Sequence, residues 1–123
     1  MPDELVLIVD DNEKNLRLAR DVLRLKGFRT AEAATGESAL SRAAAELPAV
    51  ILMDIRLPDM SGVDALRRLK DDPATAAIPV VALTAFAMDL EREWLLAEGF
   101  DGYLAKPIDV RTFADDVRAF CAA

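Results

Sequence analysis

Histidine is absent from all 123 residues, and cysteine occurs once, at Cys121. The first absence removes imidazole acid–base catalysis and most transition-metal sites; the second excludes an internal disulfide framework and a cysteine-rich zinc site. Aromatic residues make up only 6% of the chain. Basic residues are the minority charge, 15 against 22 acidic ones, for a net charge of −7. A nucleic-acid-binding domain carries a basic patch, so direct nucleic-acid contact is not expected. No apolar run approaches the length of a membrane span, and the start Met1-Pro2-Asp3-Glu4 is not a signal peptide. These features predict a cytoplasmic domain with no membrane insertion.

What is present is a 53% hydrophobic content in a length suited to one core. Five Gly and six Pro are too few for a low-complexity chain and serve as punctuation instead. Leu5–Val9 is a continuous apolar run, the pattern of a strand buried on both faces. It ends at Asp10-Asp11-Asn12. Leu16, Ala19 and Leu23 then recur at helical spacing, flanked by Leu18, Val22 and Leu25, and Gly27 stops the helix. Phe28–Ala33 reads as a less apolar edge strand. Thr35-Gly36 opens a second helix with Leu40, Ala43, Ala44 and Leu47 as its predicted buried stripe, ended by Pro48.

The unit repeats. Val50–Met53 is a strand, 54–60 a loop, and Gly62–Lys70 a helix stopped by Asp71-Asp72-Pro73. Val80–Leu83 is a strand, followed by a helix near Met88–Glu98 and a last strand at Gly102–Ala105. A final helix from about Asp109 aligns Val110, Phe113, Ala114, Val117, Phe120 and Cys121. Five strands alternating with five helices predict an α/β, doubly wound parallel sheet covered on both faces. Ligands of such a sheet sit beyond the carboxyl ends of its strands.

The residues at those ends are Asp10-Asp11, Asp54, Thr84 and Lys106. Crowded carboxylates resist ionisation unless a cation relieves them. Mg²⁺, which prefers oxygen ligands, suits that task, and a lysine and a hydroxyl suit phosphoryl oxygens. Together they supply what phosphoryl transfer to a carboxylate requires: nucleophile, metal and cationic clamp. Taken singly, each has a plain alternative. Asp10-Asp11 fits a helix cap, Thr84 a capping threonine, and Lys106-Pro107 an ordinary loop.

Four segments in order, LIVDDN (Leu7–Asn12), ILMDIRLPDMSG (Ile51–Gly62), VVALTAFA (Val80–Ala87) and GYLAKPI (Gly102–Ile108), give a specific match. The chain resembles the receiver domains of two-component response regulators over nearly its whole length. DNEKNL and IPVVALTAFAM are most similar to stand-alone regulators of cell cycle and polarity. The resemblance implies a flavodoxin-like sheet ordered 2-1-3-4-5, with Asp54 as phosphate acceptor. It also implies that Asp11 and Asp54 bind Mg²⁺ directly, that Asp10 binds it through water, and that the Arg56 main-chain carbonyl completes the protein ligands. Thr84 and Lys106 would contact the phosphoryl group, Tyr103 would be the aromatic switch, and Lys106–Pro107 would be cis. Arg56 and Phe86 occupy variable positions that tune dephosphorylation. No motif residue is missing that would mark a degenerate receiver.

The expectation is therefore one receiver domain over 1–123, without an output domain. It would be a phosphoacceptor that catalyses only its own phosphorylation and dephosphorylation, not an enzyme acting on outside substrates. The donor would be a sensor histidine kinase or histidine phosphotransfer protein, and the output a downstream protein bound by the fourth helix, fifth strand and fifth helix. The chain would be a monomer or weak dimer. The edge of the first helix, at Leu16 and Leu18, is a candidate donor contact.

Three rivals predict other features. A Mg²⁺ phosphohydrolase with an aspartyl nucleophile would need an insertion to enclose its substrate. An FMN carrier would need a Ser/Thr/Gly-rich loop where Asp10-Asp11-Asn12 stands. A scaffold-only receiver would take up no phosphate. Trp94 and Cys121 read as packing, and Arg67, Arg68 and Lys70 as a solvated helix face.

Overall fold

The computed structural model describes residues 4–85 and 89–121, with no side-chain description for 86–91. The elements are β1 (Leu5–Val9), α1 (Glu13–Leu25), β2 (Arg29–Ala33), α2 (Gly36–Glu46), β3 (Val50–Asp54), α3 (Gly62–Asp71), β4 (Val80–Thr84), α4 (Asp89–Glu98), β5 (Gly102–Ala105) and α5 (Phe113–Phe120). The predicted helix start at Met88, and Phe86, expected to tune dephosphorylation, lie outside the described residues.

The strands form one parallel sheet in the order β2-β1-β3-β4-β5. The central strands explain their own continuous apolar runs. In β1, Leu7 and Val9 face one layer while Val6 and Ile8 face the other; β3 divides Ile51 and Met53 from Val50 and Leu52 in the same way. Alternate side chains leave a strand on opposite faces, so both layers must be apolar. Buried residues of α2, α3 and α4 cover the first layer, and α1 and α5 cover the second.

Side-chain caps set the starts of α1, α2 and α3. Asn12 Oδ1 accepts the Lys14 and Asn15 N–H groups at 2.9 and 3.2 Å. Thr35 and Ser38 form a reciprocal capping box on α2, and Ser61 caps α3 by accepting the Asp64 N–H at 3.1 Å. Gly27 ends α1 with φ 92°, a conformation costly for any residue with a Cβ.

Several helix-face expectations are corrected. Leu16 is buried in the core, so only Leu18 of the proposed α1 edge reaches the surface. Ala44 is exposed, and so is Leu47, which forms the left-handed C-cap of α2 beyond its buried stripe. Val110 precedes α5, in a turn, and is exposed. Trp94 is not interior packing, since it is 47% exposed. Arg67 and Arg68 do lie on the expected solvated face, where they pair with Glu98 and Glu37, whereas Lys70 turns to donate to the Ala76 and Ile78 carbonyls.

Candidate functional site

Parallel strands of similar register end together, so the residues that follow them share one edge. Asp10 continues β1, its N–H bonded to the Ala33 carbonyl at 3.0 Å. Asp54 closes β3 and Thr84 closes β4. Lys106 follows β5, and its N–H donates to the Thr84 carbonyl at 2.8 Å. An open cavity of about 740 Å³ lies over this edge, lined by Asp10, Asp11, Asp54, Arg56, Thr84 and Lys106 among others. The anticipated acids, hydroxyl and lysine are thus brought to one place.

Lys106 is the centre of the charge arrangement. Its Nζ lies 2.9 Å from Asp10 Oδ2 and 3.0 Å from Asp54 Oδ2. Asp10, 1% exposed, also accepts the Asn12 N–H on Oδ1 at 2.9 Å and the Asn15 amide on Oδ2 at 3.2 Å. Asp54 Oδ1 accepts the Arg56 N–H at 3.1 Å. Burial pushes the Asp54 carboxyl above its ordinary value, against the opposing hydrogen bonds from Lys106 and Arg56. Burial also pulls on Lys106, downward, but the hydrogen bonds and charges of Asp10 and Asp54 outweigh it and hold the ammonium above its ordinary value.

Asp10, Asp11 and Asp54 each offer a carboxylate oxygen, all within 4.8 Å of one another. Three oxygen donors with no imidazole or thiolate among them fit a hard cation such as Mg²⁺ and not a soft metal. Lys106 and Arg56 are two cationic residues against three carboxylates in the cavity lining, which leaves an excess of acid for such an ion to offset. The remaining thiol, Cys121, is pushed up to about 11 by burial and by Glu4, which agrees with a packing role.

The loop after Asp54 is held at both ends. Arg56 and Ser61 form a bridge, and the Gly62 N–H donates to the Ile55 carbonyl at 2.7 Å. A Cβ on Gly62 would stand 2.4 Å from the Asp54 carbonyl oxygen, so the start of α3 can approach the acid only with glycine there. Asp59, in the same loop, accepts the Gly36 and Glu37 N–H groups at 2.8 and 3.0 Å and so caps α2 from outside. Those two hydrogen bonds hold its carboxyl below the ordinary value.

Tyr103 is half-buried on β5, packed against the first core layer, with the Arg92 guanidinium 5.0 Å from its ring centre. The Lys106–Pro107 bond is cis. Sequence reasoning assigned no role to Asn12, Asn15 or Asp59. The first carried a cap signal, an Asn just before an amphipathic run. The other two act across turns or between elements, which spacing alone does not reveal.

The sequence profile described as "Response regulator receiver domain" matches residues 6–118. The chain belongs to that family. It is 41% identical over 115 residues to the polar-differentiation response regulator DivK of Brucella ovis, covering 94% of both chains. Among solved structures it is similar to a putative response regulator from Chloroflexus aurantiacus, with a TM-score of 0.89, 30% identity, and 96% and 97% of the two chains covered. It is also similar to the receiver domain of the sensor histidine kinase PA1611 from Pseudomonas aeruginosa, described with a magnesium ion coordinated in its active site cleft. There the TM-score is 0.87 and the identity 32%, over 96% and 97% of the chains. The chain is a receiver-domain response regulator of two-component signalling, with the five-stranded 2-1-3-4-5 sheet expected of it.

Proposed function

We propose that the chain, as a single receiver domain over 1–123, carries a phosphoryl group on Asp54. The donor is a phosphohistidine on a sensor histidine kinase or phosphotransfer protein. An Asp54 carboxylate oxygen attacks phosphorus, the P–N bond breaks, and the imidazole nitrogen keeps the electron pair. Hydrolysis later returns the carboxylate and inorganic phosphate. The observation that carries this reading is the position of Lys106 Nζ, within 3.0 Å of carboxylate oxygens of both Asp10 and Asp54 at the cavity floor.

Each residue has a role in this scheme. Asp10, Asp11 and Asp54 would hold Mg²⁺, with the Arg56 carbonyl as a further oxygen donor. Such an ion would supply positive charge to offset that on the transferring oxygens. Lys106 exchanges a carboxylate for a phosphoryl oxygen without leaving its place. Thr84, buried at the end of β4, donates its hydroxyl to another. That inward pull opens space for Tyr103 to turn in, and the α4–β5–α5 surface changes for a downstream protein, a local charge event biasing a two-state element. Outside substrates are not turned over, and the chain acts in the cytoplasm as a monomer or weak dimer. Among the described residues no helix is long and apolar enough to cross a membrane.

Intact-mass measurement after incubation with acetyl phosphate and Mg²⁺ tests the assignment. Wild type gains one phosphoryl group, and Asp54→Asn gains none. Equal uptake by both proteins, or none by wild type, refutes it.

A further inference from the structure

We propose that Asn15 is a positioning residue for this reaction, setting how Lys106 is divided between Asp10 and Asp54. The inference rests on the phosphoacceptor reading above and adds a group to it.

Asn15 lies in the exposed first turn of α1, where a polar side chain needs no special reason. Its own N–H is satisfied by the Asn12 cap at 3.2 Å. Its side chain nevertheless turns back five residues and donates Nδ2 to Asp10 Oδ2 at 3.2 Å. The amide nitrogen must face that oxygen, because an amide oxygen there would meet a carboxylate.

The acceptor count on Asp10 gives this bond its consequence. A carboxylate has about four lone-pair sites. Three are taken by chain donors: Oδ1 by the Asn12 N–H, and Oδ2 by both Asn15 and Lys106. Asp10 is 1% exposed, so these donors and not bulk water set its orientation and its strength as an acceptor. Lys106 sits almost midway, 2.9 Å from Asp10 and 3.0 Å from Asp54. Such a near-tie is sensitive to any third donor on either acid. Asn15 competes with Lys106 for the same Asp10 oxygen, weakens Asp10's hold on the ammonium, and leaves Nζ beside Asp54, where the phosphoryl group arrives. Without the amide, Asp10 Oδ2 draws the ammonium to itself.

The test compares wild type, Asn15→Leu (similar size, no donor) and Asn15→Gln (donor kept on a longer stem). A small donor, acetyl phosphate, is used at saturating Mg²⁺, so that neither partner docking nor metal affinity enters the rate. The phosphorylation rate of Asn15→Leu is expected to fall about fivefold to tenfold, as for loss of one hydrogen bond to a charged group at a part-exposed site, with Asn15→Gln recovering much of it. Crystal structures of the metal-free proteins form the second arm. In Asn15→Leu, Lys106 Nζ is expected to stay on Asp10 Oδ2 and move beyond hydrogen-bond distance of Asp54 Oδ2. Rates within twofold of wild type, a Gln variant no better than Leu, or an unmoved lysine each overturn the proposal. If wild type itself takes up no phosphate, the phosphoacceptor reading falls, and the lysine position alone decides whether Asn15 divides it.

Discussion

Lys106→Met leaves two buried carboxylates facing each other with no cation between them. Removing one partner of a fully buried pair costs about 3–5 kcal/mol. The side chains of Lys106, Asp10 and Asp54 are 18%, 2% and 11% exposed, so water recovers only part of that. Asp10 keeps Asn12 and Asn15, and Asp54 keeps the Arg56 N–H. An expected loss of about 2–4 kcal/mol near pH 7 follows. It also has a ceiling, because one acid can take up a proton instead. For a carboxyl of ordinary value 3.8 that uptake costs about 4 kcal/mol at pH 7 but only ~1.6 kcal/mol at pH 5, at 1.36 kcal/mol per unit. The part of the penalty that comes from the two facing charges must therefore shrink on acidification. Urea melts of the metal-free proteins at both pH values check this, alone and in an Asp54→Asn background, where the penalty is smaller because the opposing charge is gone. A loss below about 1 kcal/mol at pH 7 would refute the reasoning, as would an equal loss at both pH values or in both backgrounds.

Three further outcomes are expected. Asp54 has a raised folded-state pKa, so its contribution to stability is full below the unfolded value and is lost as pH rises through the folded one. Metal-free Asp54→Asn accordingly melts higher than wild type at neutral pH, with the gap closing toward acid pH, as calorimetry across that range shows. Gly62→Ala forces a Cβ against the Asp54 carbonyl and costs about 1–3 kcal/mol in a denaturant melt, with slower phosphate uptake by intact mass. Leu16→Ala costs about 2–5 kcal/mol by the same melt because Leu16 is core, whereas the exposed Leu18→Ala stays within about 0.5 kcal/mol of wild type.

The fold was legible because its signals are redundant. Runs such as Leu5–Val9 and Val50–Met53 can only be strands buried on both faces, and topology then sends Asp10, Asp54, Thr84 and Lys106 to one edge. Periodicity failed where a helix outlasts its contact with the sheet. Leu47 lies just past the end of α2 and Ala44 one residue round from buried Ala43, so both are exposed, and Leu16 and Leu18, two residues apart, face opposite ways. The third shell of information, which donor serves which oxygen, was not in the spacing at all. Asp59 caps a helix that precedes it by more than twenty residues, and Asn15 reaches backward against the direction in which caps are read.

The segment from Ile55 to Ser61 is a joint as well as a connection. Its one carboxylate, Asp59, serves as the first-turn acceptor for α2, its serine begins α3, and the glycine beyond it rests on the Asp54 carbonyl. Three neighbours fix its length simultaneously. The Arg56 side chain is exposed, so an exchange there leaves these three attachments in place. A residue inserted between Leu57 and Gly62 would instead unseat two helices and the acid together, so evolution and engineering alike must treat that stretch as a single part.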